Sequence, residues 1–295
     1  MKVLVTGANG FVGRTVVHTL RAQGRDVRAL VRSRAKGVQV AGWGAELVTG
    51  EMTDPAALRA AVDGCTHVVH LVAIIQGKPA DFERVMTRGT KDLIAAAKEA
   101  GVGRFLLMSA LGTSEASKDA VPYFAAKWAM ERELAASGLE YVIFRPSFVF
   151  GRDGGALPTF MRQVRLSPVV TVIGPGLQRS QPIWVEDVAE YVARALDHPG
   201  AGNRVFELGG PDTVDWNGLY ETIARVLGKR RRLVHVPFSV ARTGAQLTQW
   251  LPGAPLSADQ VTMLQGADVV VSNTDAVDTF QLPLVGLEEQ IRRSA

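Results

Sequence analysis

Short apolar runs and helical periodicities take turns along the first half of the chain. Lys2–Thr6, Val27–Arg32, Glu46–Thr49, His67–Ala73, Arg104–Ser109 and Tyr141–Arg145 read as strands. His67–Ala73 is apolar on both faces, as a strand covered on both sides must be. Between them, Phe11–Gln23, Asp54–Val62, Phe82–Ala100 and Pro122–Ser137 read as helices. In the first of these, Phe11, Val12, Val16, Val17 and Leu20 fall on one stripe. Thr53-Asp54-Pro55 opens the second, while Gly101 and Gly138 close the third and fourth. Strands that alternate with helices join through crossovers, so the expected class is α/β: a doubly wound parallel sheet with helices on both faces.

After Arg145 the pattern loosens. Gly151–Gly155 and Gly174–Gly176 read as loops. Helices are expected over Glu186–Leu196, Trp216–Leu227, Ser239 to about Trp250 and Ser257 to about Leu264, with strands at Arg204–Leu208 and Leu233–Val236. The expected organisation is a nucleotide-binding domain over 1–150 and a smaller α/β lobe over 151–295, partly packed back on the first.

Composition narrows the class. The chain has 295 residues, 47% hydrophobic and 21% charged, which is ample for a packed core and excludes disorder. Its net charge of +4 is a small, dispersed excess, and no zinc-finger, helix-turn-helix or RNP pattern accompanies it, so no nucleic-acid partner is expected. Cys65 stands alone, so no intramolecular disulfide forms, and the five histidines and this cysteine show no metal-ligand spacing. The start reads as strand and turn rather than as a leader, and the longest apolar run, near Val68–Ile75, is too short to span a bilayer. The expectation is a cytoplasmic protein, monomer or homodimer. Lys229-Arg230-Arg231-Arg232 precedes the apolar stretch Leu233–Phe238 and a helical pattern bearing Val240, Leu247, Trp250 and Leu251. That pairing leaves peripheral association with an anionic membrane, or with a quinone, open.

Two constellations carry chemistry. The first is Gly7-Ala8-Asn9-Gly10-Phe11-Val12-Gly13, between the first strand and the first helix. Glycines there let backbone N–H groups approach a pyrophosphate, and the helix N-terminus adds partial positive charge. The expected fold is therefore of the Rossmann type. The spacing is GxxGxxG rather than the commoner GxGxxG. The second strand ends in Arg32, with Arg34 and Lys36 close by, and no acid lies between Asp26 and Glu46. Arg32 suits a 2′-phosphate where a carboxylate would suit a bare ribose, which favours NADP(H) and leaves NAD(H) open. Arg14 is a second cation within reach of that region.

The second constellation is Tyr123 and Lys127, at i and i+4 near the start of a helix and hence on one face. A phenol titrates near pH 10, and a neighbouring ammonium favours the phenolate, so the pair is expected to lower that value and let Tyr123 act as acid or base on a carbonyl or alcohol oxygen. Ser109, at the end of the fifth strand, is placed to hydrogen-bond the same oxygen.

TGANGFVG (6–13), HLVA (70–73), RGTKDLIAAAKEAGVGRFLLMSALG (88–112), YFAAK (123–127), RPSFVFG (145–151) and PIWVEDVAEYVARAL (182–196) occur in this order over roughly residues 1–210. As a set they resemble the short-chain dehydrogenase/reductase superfamily in its extended and atypical branches. The subgroup most similar includes the nucleotide-binding accessory subunit of respiratory complex I; nucleotide-sugar epimerases and dehydratases resemble the chain more distantly. The resemblance implies a nucleotide cradle of Gly7, Asn9, Gly10, Phe11, Val12 and Gly13. It implies Glu51 and Met52 flanking adenine, Leu71, Val72 and Ala73 lining the dinucleotide, and Pro146 and Phe148 near the nicotinamide. It makes Tyr123, Lys127 and Ser109 the catalytic set. Met86 stands where the extended branch has Asn, and the serine-rich stretch is reduced to Met108-Ser109-Ala110. Two functions stay open: an NADP(H)-dependent oxidoreductase or epimerase-like enzyme acting on an unidentified small molecule, and a nucleotide-holding assembly or redox-sensing protein without turnover.

Overall fold

The computed structural model describes residues 1–248, 257–266 and 268–295. Seven strands form its main sheet: β1 (Lys2–Thr6), β2 (Asp26–Val31), β3 (Glu46–Thr49), β4 (His67–His70), β5 (Arg104–Met108), β6 (Glu140–Pro146) and β7 (Arg204–Leu208). They lie in the order β3-β2-β1-β4-β5-β6-β7, every neighbouring pair parallel. The sheet grows one way from β1 to β3 and the other way from β4 onward. The carboxyl ends of β1 and β4 therefore flank a topological switch point, where open α/β sheets take their ligands.

The helices packed on this sheet are α1 (Phe11–Ala22), α2 (Pro55–Val62), α3 (Gly89–Glu99), α4 (Pro122–Ala135), α5 (Val185–Ala195) and α6 (Asp275–Phe280). Asp54 caps α2, its carboxylate accepting from the N–H groups of Ala56 and Ala57, and Pro55 occupies the first turn. On one face Leu58, Leu93, Met130 and Leu134 close over Val68, Phe105 and Leu107 of the sheet. On the other, the rings of Phe144, Tyr191, Phe206 and Phe280 meet at 5.1–6.3 Å between centroids.

Contacts divide the chain into two compact units. Unit 1 comprises Met1–Pro146, Val185–Leu208 and Asn273–Pro283; unit 2 comprises Ser147–Trp184, Gly209–Ser272 and Leu284–Ala295. Unit 2 contains helices Leu157–Leu166, Trp216–Val226, Phe238–Thr248, Ala258–Gln265 and Leu287–Ser294. Its longest strand pairing is the parallel one of Val169–Ile173 with Arg232–Val236. Its core joins Phe150, Leu157, Met161, Trp184, Leu219 and Ile291.

Several elements differ from the sequence expectation. The strand expected to reach Ala73 ends at His70, after which Leu71 N–H still bonds Thr6 O and the chain peels away past the glycine loop. The helix expected over Phe82–Ala100 is α-helical only from Gly89; Phe82–Arg88 is π-helical, and fully buried Met86 accepts the Ile74 N–H on its Sδ at 3.5 Å. Gly151–Gly155 is not all loop: Val149–Gly151 and Gly154–Gly155 pair antiparallel, a hairpin made by backbone alone and so invisible to side-chain patterning. The helix expected to Trp250 runs over Phe238–Thr248, and Trp250 and Leu251 lie outside the described residues. Leu157–Leu166, Asp275–Phe280 and Leu287–Ser294 are helices that the pattern did not announce.

Candidate cofactor and active site

The glycine loop turns at the carboxyl end of β1, at the switch point. Gly7 takes φ +69°, a left-handed conformation that only glycine adopts without strain. A Cβ there would sit 3.1 Å from the backbone of Leu71 and Val72. A Cβ on Gly13 would sit 2.1 Å from the Gly7 carbonyl oxygen. These glycines thus exist for close approach, drawing together the loop, the first turn of α1 and the segment after β4. Gly10 is the N-cap of α1, supplies no side-chain cap, and is followed by a first turn without acids. The N–H groups of Phe11 and Val12 therefore begin a helix whose positive end is neither capped nor neutralised, and a pyrophosphate fits such an end. Asn9 is half-buried inside the same turn.

The rest of the expected cofactor set divides. Met52 is buried, and its carbonyl oxygen lies 2.9 Å from where a Cβ on Gly89 would be, so Gly89 admits the Met52 backbone at the start of α3. Glu51, next to it, is exposed. Arg32 is exposed immediately after β2 and forms no ion pair among the described residues; Arg14 reaches Gln39 at 3.3 Å. Leu71 and Val72 are half-buried and Ala73 exposed. Pro146 ends β6, its carbonyl accepting the Leu111 N–H at 2.9 Å. Phe148 belongs to unit 2, where its ring meets Trp216 edge-on at 5.4 Å.

Tyr123 and Lys127 stand one turn apart on α4, a helix opened by Pro122. Lys127 is 1% exposed, and its Nζ donates to the Met108 carbonyl at 2.6 Å, at the end of β5. That ammonium lies 5.8 Å from the centroid of the Tyr123 ring. Burial pulls Lys127 down to about 8, partly opposed by the Glu131 carboxylate one turn on. Tyr123 is half-buried, and the desolvation of its phenol pushes it up to about 12. This corrects the expectation that the lysine would lower the phenol: desolvation of the phenol prevails. Ser109 is buried, with its Oγ donating to Thr113 Oγ1 at 3.5 Å and its N–H bonded to Phe144 O.

Two further features escaped motif reading. His70 is fully buried, bridging Thr6 Oγ1 at 2.6 Å and Thr90 Oγ1 at 2.9 Å. Burial first, and the Lys127 charge second, hold it near 3, so it is neutral and ties β1, β4 and α3 together beneath the loop. Glu131, 4% exposed, binds Arg145 through two hydrogen bonds of 3.0 and 2.6 Å. Both are distant from their partners in sequence, and only the fold pairs them.

Residues 7–199 match the NAD(P)H-binding family. Among characterised proteins, the photosystem II assembly factor Ycf39 of Cyanophora paradoxa is 30% identical over 257 residues, 85% of this chain and 77% of that one. The ceramide reductase of Caulobacter vibrioides is 31% identical over 251 residues, 84% and 78% of the two chains. UDP-glucose 4-epimerase of Thermotoga maritima shares the fold, with a TM-score of 0.79 at 21% identity over 100% of this chain and 97% of that one. With its switch-point glycine cradle and parallel sheet, the chain belongs to the NAD(P)H-binding family, and its Rossmann-type fold is the one that this epimerase shares.

Proposed function

We propose that this chain is an NADP(H)-dependent oxidoreductase that works in the reducing direction. The observation that supports it best is the pair on α4: a buried lysine ammonium 5.8 Å from the ring of a tyrosine whose phenol keeps its proton to about pH 12. The nicotinamide, when bound, supplies the hydride. The loop from Gly7 to Gly13 holds the pyrophosphate on the N–H groups of Phe11 and Val12, and Arg32 faces the 2′-phosphate. Tyr123, protonated at neutral pH, gives its proton to the carbonyl oxygen being reduced, and Ser109 donates a hydrogen bond to the same oxygen. Lys127 fixes the cofactor ribose and supports the phenolate left after transfer. The similarity to a ketoreductase of Stigmatella aurantiaca, 27% identical over 274 residues, favours a carbonyl substrate. The test uses NADPH deuterated at the transferable position, incubated with the protein and a small-molecule cell extract. Deuterium in a metabolite, lowered about 10²- to 10⁴-fold by Tyr123→Phe, is the expected result. Label that stays in NADPH whatever the extract sinks the proposal.

A second reading is a cofactor-holding assembly or sensing protein, akin in role to Ycf39 or to the complex I accessory subunit. Its support is Met86, an apolar side chain packed where the extended branch carries Asn. The same substitution disfavours a third reading, a nucleotide-sugar epimerase or dehydratase.

A further inference from the structure

One face of unit 2 takes no part in the chemistry above. In the parallel pair Val169–Ile173 and Arg232–Val236, inward and outward positions alternate: Val170 and Val172 are buried, whereas Val169 and Val234 are 39% and 41% exposed. The register sets Val169 beside Arg232 and Thr171 beside Val234, so these four side chains share the outer face. Leu166, 73% exposed at the end of helix Leu157–Leu166, leads into that face through Ser167 and Pro168. Single exposed apolar side chains are ordinary; Val169 and Val234 on one face, with Leu166 ending the helix three residues before Val169, are an apolar cluster.

Arg232 shares that outer face, and Lys229 and Arg230 precede it in the loop that enters the strand. Arg231 is committed, its Nε donating to Val164 O at 2.6 Å and its Nη2 to Arg165 O at 3.3 Å, which closes the carboxyl end of the helix. Arg225 pairs with Glu288 at 2.6 Å. Lys229, Arg230 and Arg232 form no ion pair with an acid among the described residues. Lys229 and Arg230 line a concavity of about 560 Å³ in which, among the described residues, Glu221 is the one carboxylate.

We propose that this face is a docking surface for an anionic lipid membrane, with Leu166, Val169 and Val234 at the headgroup–acyl boundary and Lys229, Arg230 and Arg232 on lipid phosphates. Two signals, a cationic rim and an apolar patch, together give reversible attachment where either alone is marginal. Charge complementarity selects an anionic surface over a neutral one. None of the six residues is a Phe, Tyr or Trp on which nucleic-acid bases stack, so the patch suits lipid better than RNA. Among the described residues no helix is long and apolar enough to cross a membrane, so the attachment is peripheral. The proposal stands whether or not the chain turns over a substrate.

The experiment floats the full chain with phosphatidylcholine vesicles, and with phosphatidylcholine vesicles containing phosphatidylglycerol, at low and high salt. Co-flotation with the anionic vesicles at low salt, release at high salt and no binding to neutral vesicles are expected. Lys229→Ala with Arg230→Ala lowers the binding constant about thirtyfold. Leu166→Ser with Val234→Ser weakens binding without changing its salt dependence. All four residues are exposed, and unchanged thermal melting verifies that the variants fold. Failure to float with anionic vesicles, equal flotation of both variant pairs and wild type, or capture by an RNA homopolymer without vesicle binding overturns the proposal.

Discussion

At the scale of single residues, the site is governed by three titratable groups, buried His70 and Lys127 and half-buried Tyr123, whose pH signatures differ in sign. His70 is held near 3 in the folded chain, against a usual value near 6.5. The unfolded chain therefore binds the extra proton between about pH 6.5 and 3, and stability falls as pH falls through that window. His70→Gln, which keeps hydrogen bonding without the charge, is expected to flatten urea-derived stability between pH 6.5 and 4.5; a slope matching wild type would show that other groups set acid sensitivity. Lys127 behaves oppositely in range though not in sign of slope. Its folded value of about 8 lies below its unfolded value near 10.4, so stability is withheld at neutral pH and recovered as pH rises from about 8 to 10. The expected gain is about 3 kcal/mol as an upper figure, at 1.36 kcal/mol per unit. Lys127→Met should remove that rise, measured by denaturant unfolding at pH 7.5 and 9.5, and should abolish any hydride transfer. Tyr123, raised to about 12, protects its proton in the fold, so above pH 10 it turns the slope downward.

At the scale of elements, the decisive piece is the turn from β1 into α1. A methyl on Gly13 would overlap the Gly7 carbonyl at 2.1 Å, and backbone cannot yield there as a side-chain tip would. Gly13→Ala is expected to lower stability by about 1–3 kcal/mol through overpacking and to lose NADPH binding, read by fluorescence titration. Retained affinity would mean that α1 shifts without cost to the cradle. The π-helical turn Phe82–Arg88 makes a second prediction. Met86 is fully buried and receives the Ile74 N–H, so Met86→Ala leaves a void and an unsatisfied donor. A loss of about 2–5 kcal/mol in chemical unfolding is expected. Where the extended branch has an asparagine, the fold has Met86 as a filled packing position.

At the scale of the whole molecule, unit 1 is built from three separate stretches of chain. β7 and α5 come from Val185–Leu208, and α6 from Asn273–Pro283. Without them Phe144 on β6 loses Tyr191, Phe206 and Phe280 as ring partners, and one face of the sheet stands uncovered. A fragment of residues 1–150 is accordingly expected to lack a cooperative thermal transition, and calorimetry that found one would show the amino-terminal strands sufficient by themselves.

The sequence by itself determined most local elements of unit 1 and the glycine cradle, because both are written in short-range terms; the π-helical turn Phe82–Arg88 and the helix Asp275–Phe280 were not among them. Strand and helix periods, the Asp54-Pro55 cap and the glycines at 7, 10 and 13 each act within a few residues, and the strands at Lys2–Thr6, Glu46–Thr49 and Arg204–Leu208 stand where the pattern set them. The Tyr123–Lys127 spacing was legible for the same reason, since one helical turn fixes it. Only the tertiary structure decided the charge states, because these depend on what covers a group from distant parts of the chain. Met108 claims the lysine, Thr6 and Thr90 enclose His70, and Arg145 meets Glu131 across α4 and β6. Unit 2 was the least legible part. Local periods marked its helices near Trp216, Ser239 and Ser257 and its strand at Leu233–Val236, but its Gly154–Gly155 pairing rests on backbone alone and its core joins segments far apart in sequence, so its organisation was not legible.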